Sequence, residues 1–252
     1  MSRCTFYLLS LHGSASDFKA SISTISNTPL FVGQVHRWVA PPMRHSIDPL
    51  TTQGSWDVFL FFAGSVKLPE AIEAFRKAEW RLEADAPPPM LAVFKNTDQQ
   101  HSRAGPEDVP ALTGRWDHPY QPDPDAHQEF DYSPELQNWV RTFGKQEGKS
   151  AVWMFNLLAY QDGKRETFMK YVEAFAASVG KAVGSESQIF GQVIRCSSTS
   201  DGEEPWEDAA LVHYPSVYHF GDLVGSEEYQ KLDAKYKVGT IKDTCILCLT
   251  EL

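Results

Sequence analysis

The sequence predicts an α+β fold in which two βαββαβ units lie in tandem and close on each other as one intramolecular α/β barrel around a ligand cleft. Three observations carry this. Phe31-Val32-Gly33-Gln34-Val35-His36-Arg37 is matched by Ile189-Phe190-Gly191-Gln192-Val193-Ile194-Arg195, so both halves hold Gly-Gln-Val-x-Arg in a strand-like run. Phe6-Tyr7-Leu8-Leu9 aligns with Phe155-Asn156-Leu157-Leu158, and Trp56-Asp57 with Trp206-Glu207-Asp208, each pair leading into or lying in an apolar strand. The intervening elements then fall in the same order in both halves.

In the first unit, residues 1–95, the aromatic and β-branched run Arg3–Leu11 reads as a strand. Ser14–Ser26 reads as a helix opened by Ser and Asp, with Phe18, Ile22 and Ile25 on one face. Leu30–Val39 and Trp56–Phe62 follow as strands. Pro69–Ala84 has Pro in its first turn and Ala71, Ile72, Phe75 and Leu82 at helical spacing, so it reads as a helix. Pro87-Pro88-Pro89 ends it, and Met90–Phe94 is the expected fourth strand. Residues 96–133, rich in Pro and Asp with no apolar period, read as a linker that crosses the surface. The second unit, residues 134–252, begins with a short helix at Pro134–Gly144. It continues as strand Ala151–Tyr160, helix Arg165–Gly180, strands Gln188–Cys196 and Asp208–Tyr214, one or two helices over Ser216–Tyr236 broken near Gly225, and strand Ile241–Leu249.

The composition narrows the function. The 252-residue chain carries a net charge of −10 without a block of like charge, which argues against nucleic acid and against an anionic membrane surface. No apolar run approaches the roughly 20 residues that span a bilayer. Cys245 and Cys248 form a CxxC, but on a strand a spacing of three sends the two thiols to opposite faces, which disfavours a metal or redox pair. With only four cysteines and no disulfide framework, a reducing cytoplasm is the expected compartment. The nucleotide signatures GxGxxG and GxxxxGK[ST], the HExxH zinc motif and the GxSxG hydrolase elbow are all missing from the sequence. His118 and His127 sit among Asp117, Asp123, Asp125 and Glu129, an acidic loop open to weak cation binding, but its spacing is not that of an EF-hand. The expectation is therefore no metal and no cofactor.

The second half resembles the dimeric α/β-barrel superfamily, whose units are ferredoxin-like. The residues that carry the resemblance are Phe155-Asn156-Leu157-Leu158, Trp206-Glu207-Asp208 before Leu211-Val212-His213-Tyr214-Pro215-Ser216, and Ser226-Glu227-Glu228-Tyr229-Gln230. The resemblance spans about 100 residues and includes small stress-responsive and polyketide-cyclase-like domains. It implies a cleft between sheet and helices or inside the barrel. It also implies a choice among isomerases, cyclases, cofactor-free monooxygenases and heme-dependent enzymes, which fold alone does not decide.

Candidate site residues follow from comparing the two copies. Strict alternation puts Gln34, His36 and Trp38 on one strand face, opposite Gly33, Val35, Arg37 and Val39. His36 stands where the other copy has Ile194, and a group that titrates near neutral pH can move protons. His36, Tyr7 and Arg37 are thus the candidate catalytic set, and the unmatched His36 and Trp38 favour the first half as the active one. Gln34, Trp38, Asn156, Gln192, Arg195, His213 and Tyr214 are candidate substrate-binding residues. For each there is a plainer reading: a core or rim histidine, a cross-barrel Gln34–Gln192 pair, strand-end salt bridges at Arg37 and Arg195. Trp56, Trp80, Trp153 and Trp206 read as core, with the alternative of an aromatic pocket shared with Phe59, Phe61 and Phe62. The expected activity is cofactor-independent acid–base catalysis, an isomerase, cyclase or intramolecular lyase acting on a small aromatic or polyketide-like secondary metabolite. A monooxygenase of the same fold and a non-catalytic ligand-binding protein are the alternatives. The expected partner is the small substrate alone, with the chain a monomer by intramolecular closure and a homodimer as the alternative.

Overall fold

The computed structural model describes residues 1–22, 28–45, 50–51, 55–92, 94, 109–118, 132–197 and 206–252. The first half contains β1 (Ser2–Leu11), α1 (Ala15–Ile22), β2 (Phe31–Ala40), β3 (Val58–Ala63), α2 (Glu70–Glu73) and β4 (Arg76–Ala86). The second contains α3 (Pro134–Phe143), β5 (Val152–Tyr160), α4 (Arg165–Ala177), α5 (Val179–Ala182), β6 (Glu186–Cys196), β7 (Asp208–Tyr214), α6 (Val217–Val224), α7 (Glu227–Tyr236) and β8 (Ile241–Glu251). Among the described residues, eight strands close an antiparallel barrel in the order β1-β3-β2-β8-β5-β7-β6-β4.

Period-two alternation sorts the side chains. Phe6 and Leu8 of β1, Phe59 and Phe61 of β3, Trp80 and Leu82 of β4, Trp153 and Phe155 of β5, and Leu247 and Leu249 of β8 all point into the barrel. Their rings interlock: Phe6 lies 4.9 Å from Phe61 and 5.4 Å from Phe155, and Phe31 lies 4.8 Å from Trp153. The lumen is therefore a packed aromatic core, to which Trp56 and Trp206 also belong. Phe62 faces the other way, under α1. The outer faces carry two further cores, one beneath α1 and α2 and one beneath α3, α4, α6 and α7. Cys245 lies inside the barrel and Cys248 outside, as a spacing of three on a strand requires, and all four cysteines are buried thiols.

Two elements of the first half differ from the sequence reading. The segment read as a helix over Pro69–Ala84 holds only the single turn α2, and β4 runs through the rest of it. Residues 88–92 are helical, so Met90–Phe94, read as the fourth strand, is not one, and β4 takes that place in the fold. The prolines at 87–89 open this turn rather than end a helix, because Pro is tolerated where the first N–H groups have no partner. Ala, Glu, Lys and Arg give 76–86 a helical bias, but pairing with β1 on one side and β6 on the other overrides it.

β2 and β6 each carry a bulge at the same repeat position. In β2 the pairing with β8 skips from Val35 to Arg37, leaving His36 as the extra residue. In β6 the pairing with β4 skips from Val193 to Arg195, leaving Ile194. A bulge breaks alternation, so His36 and Arg37 both face outward while Trp38 turns inward opposite Leu247. Cys196 likewise turns inward opposite Leu82. A second likeness lies beside the bulges. The Leu11 N–H donates to Asp57 Oδ2 at 2.8 Å, and the Tyr160 N–H donates to Glu207 Oε1 at 2.8 Å.

Part of the linker is described. Residues 109–118 dock on α6, where Asp222 accepts the Thr113 N–H and, at 2.9 Å, the Trp116 N–H. His219 Nε2 lies 2.9 Å from the Pro110 carbonyl, and Tyr132 donates to the Trp116 carbonyl at 2.7 Å. The acidic loop at 123–129 lies outside the described residues. No helix among the described residues is long and apolar enough to cross a membrane.

Candidate functional site

Between the outer face of the second half's strands and α4, α6 and α7 lies a cavity of about 110 Å³. Its floor is Met154, Asn156 and Leu158 of β5, Ala210, Val212 and Tyr214 of β7, and Thr244 and Ile246 of β8. Its roof is Phe168, Tyr171 and Phe175 of α4, Phe220 and Leu223 of α6, Tyr229 of α7, and Lys237 just beyond it. Exposed Ser187 and half-buried Val172, Phe175 and Phe190 mark the mouth, at the start of β6. An apolar cavity of roughly 150 Å³ accepts benzene, so this space is scaled to one small ring.

The cavity has a specific cause. Asn156 and Ala210 are direct cross-strand partners, and both are short. In the first half the corresponding partners are Tyr7 and Leu60. Those two pack with Phe18, Ile22 and Ile72, and Tyr7 donates to the Val66 carbonyl at 2.6 Å. The same architectural space is filled in one half and open in the other. The open space thus lies in the second half, whereas the unmatched His36 and Trp38 had favoured the first. The signal was present in the sequence as Ala209-Ala210 against Phe59-Leu60, but it was masked because both pairs read equally well as strand.

Polar groups reach this apolar space in three places. Asn156 Nδ2 donates to the Met154 carbonyl at 2.9 Å, and among the described residues its Oδ1 accepts nothing. Tyr214, whose hydroxyl makes no hydrogen bond among the described residues, stands four positions away across the β5–β7 pair. Lys237 and Asp233 form an ion pair at 3.2 Å with side chains only 7% and 3% exposed. Tyr171 and Tyr229 interact with each other, and Tyr229 interacts with Asp233, in one polar row. Burial pushes the Tyr171, Tyr214 and Tyr229 hydroxyls well above the ordinary phenol value. At neutral pH these tyrosines are protonated hydrogen-bonding groups and not phenolate bases.

The structure separates the residues expected to act together. His36 Nε2 lies 2.7 Å from Thr250 Oγ1, and its ring lies 4.6 Å from that of Phe143. Burial lowers the His36 pKa below its usual value, against a smaller opposing effect of Glu147. Arg37 bonds to the Trp38 carbonyl at 3.0 Å, pairs with Glu135 at 3.2 Å and sits 5.1 Å from the Trp139 ring. Tyr7 lies level with Val32, two strands and four residues from His36, roughly 16 Å at sheet spacings. Tyr7, His36 and Arg37 therefore do not form one catalytic set. Gln34, Gln192 and Arg195 are exposed, so no cross-barrel glutamine pair exists. Trp38 packs against the lumen on the face opposite His36. His213 points into the barrel with its ring 4.9 Å from Trp153. Of the expected binding residues, Asn156 and Tyr214 come together in the cavity. Lys237, Asp233, Tyr171 and Tyr229 were not among the expected site residues; Tyr171 was expected on the apolar face of its helix, and Tyr229 only among the residues that carry the resemblance.

Three buried or half-buried histidines, His36, His213 and His219, are each engaged by the protein itself and are not presented as axial ligands to a heme of the kind found elsewhere in the resembled superfamily. His36 packs on Phe143 beside Thr250, His219 is bonded at both ring nitrogens, and His213 is enclosed against Trp153. The cavity, sized for one ring, does not admit a tetrapyrrole. The described residues hold no group of three or more His, Cys, Asp or Glu arranged for a metal ion.

No protein-family profile and no curated protein matches the sequence. Among solved structures, a protein of unknown function from Rhodopseudomonas palustris is 20% identical with a TM-score of 0.41, covering 48% of this chain and 95% of its own. A candidate chlorite dismutase is 11% identical with a TM-score of 0.44, covering 100% of this chain and 95% of its own.

Proposed function

We propose that this chain is a tandem pair of ferredoxin-like units closed as an intramolecular barrel, and that its second unit binds a small, single-ring apolar molecule above Asn156 and Ala210. The tandem reading is supported by the strand order 4-1-3-2 in each half, the matched bulges at His36 and Ile194, and the matched carboxylate bonds of Asp57 and Glu207. The binding reading is carried by the cavity, which exists where Asn156 and Ala210 replace the Tyr7–Leu60 pair of the other half. Its size favours a simple aromatic compound over a polyketide. The chain works as a monomer with the small molecule as its partner.

A second reading is turnover of that ligand by a cofactor-independent isomerase, cyclase or lyase. The buried Lys237–Asp233 pair favours it, because burying two charges is costly and a hydrophobic pair of similar volume is often as stable. In this reading the Asp233 carboxylate takes the substrate proton through the Tyr229 hydroxyl and becomes neutral, and the Lys237 ammonium it leaves holds the enolate or phenolate oxygen that forms. An oxygen electrode separates it from the monooxygenase alternative, since an isomerase consumes no oxygen.

Thermal shift with small aromatic compounds tests binding. A ligand at 100 times its Kd adds about 2.7 kcal/mol, which for a chain of this size is a shift of roughly 5–11 °C. The shift should persist in His36→Ala and Tyr7→Phe. If either change abolishes it while the protein stays folded, the site has been misplaced.

A further inference from the structure

We infer that the cavity selects a neutral single-ring ligand bearing a hydroxyl group and rejects a carboxylate of the same size. The inference rests on the cavity being the ligand site and adds the chemistry of what fills it. Asn156 is the observation that carries it. Its Nδ2 is committed to the Met154 carbonyl, which fixes the orientation of the amide. The remaining Oδ1, on a residue that lines the cavity, is an acceptor without a donor among the described residues. Asn156 is half-buried and its Oδ1 is not enclosed, so the acceptor is open to the cavity, where a ligand O–H can donate to it and a methyl or ether group cannot.

Charge excludes the acid. Lys237 is the cation at the cavity wall, and Asp233 already neutralises it. A carboxylate that enters leaves two anions to one cation in an apolar enclosure. If Lys237 turns toward it, Asp233 is stranded instead. Either arrangement buries an uncompensated charge. Asn156 Oδ1 adds repulsion, because an ionised carboxylate has no proton to donate. A phenol, whose pKa near 10 keeps it neutral at pH 7, meets both conditions.

The experiment is isothermal titration of the full chain at pH 7 with phenol, anisole, toluene and benzoate, repeated with Asn156→Leu. Anisole keeps the oxygen but not the donor, so the wild-type comparison stands even if the variant folds poorly. One net hydrogen bond corresponds to about a fivefold preference for phenol over anisole and toluene. Benzoate is expected to bind at least tenfold more weakly than phenol. In Asn156→Leu, toluene binding should persist and the phenol preference should vanish. Equal binding of phenol, anisole and toluene overturns this inference while leaving the cavity as a binding site. Benzoate equal to phenol, or a phenol preference that survives in Asn156→Leu, also overturns it. If none of the four binds, the cavity reading itself falls.

Discussion

Replacing Ala210 with Leu tests whether the space over β7 is open in solution. Ala210 lines the cavity directly across from Asn156. Leucine adds three carbons, and at about 0.8 kcal/mol per buried methylene they contribute about 2.4 kcal/mol. An independent route gives a similar figure: at about 24 cal/mol per Å³, an unfilled 110 Å³ cavity costs about 2.6 kcal/mol. Fixing the leucine rotamers removes about 0.5–1 kcal/mol. The net expectation is a gain of about 1.5–2 kcal/mol, or roughly 3–8 °C in Tm. Urea and thermal unfolding measure the gain, and the same scans with a bound aromatic measure the ligand. Ala210→Leu should raise the baseline stability and erase the ligand-induced shift. A loss of 1 kcal/mol or more would mean that the space is already packed and leucine overfills it. A gain that leaves the ligand shift intact would put the ligand elsewhere.

Lys237→Met should cost about 3–5 kcal/mol by stranding the Asp233 carboxylate, and Lys237→Met with Asp233→Asn should recover most of it; a single-variant cost below about 1 kcal/mol in chemical denaturation argues against a buried pair. His36 is protonated more readily unfolded than folded, because burial lowers its native pKa. Its contribution is therefore present above about pH 6.5 and lost as pH falls through the native value. A Tm-against-pH series should show this slope, and His36→Gln should flatten it; an unchanged slope would clear His36 of the effect. Tyr7→Phe should cost about 1–2 kcal/mol, by leaving the buried Val66 carbonyl unpaired, with no change in ligand affinity by titration.

Much of the second half was legible because local preference and tertiary demand agree there. Asp208–Tyr214 was read with its observed bounds, and the break near Gly225 separates α6 from α7 as expected. In the first half they disagree. Glu79, Glu83 and Ala84 favour a helix, yet β4 is held between two partner strands that no local window can see. The faces of β2 were misread for a related reason. Alternation is a rule for regular strands, and the bulge at His36 depends on how β8 pairs with it. The site was harder still, because a cavity is recorded as missing volume. Asn156 and Ala210 signal nothing singly; only their register across β5 and β7, set against Tyr7 and Leu60, shows that two small residues meet.

Closure of the barrel has a consequence for how the chain can be divided. The seams β2–β8 and β4–β6 join the two halves, and at the first of them Gly33 lies opposite Glu251, nearly the full length of the chain away. Each half cut free would expose two rows of unpaired N–H and C=O groups along β2 and β4, or along β6 and β8. Such rows are templates for strand addition by any other chain. The linker therefore keeps the complementary borders at high local concentration, so that each finds its own partner before a stranger's. Cleavage within it should leave a nicked but associated barrel, whereas either half made alone should pair with itself or aggregate.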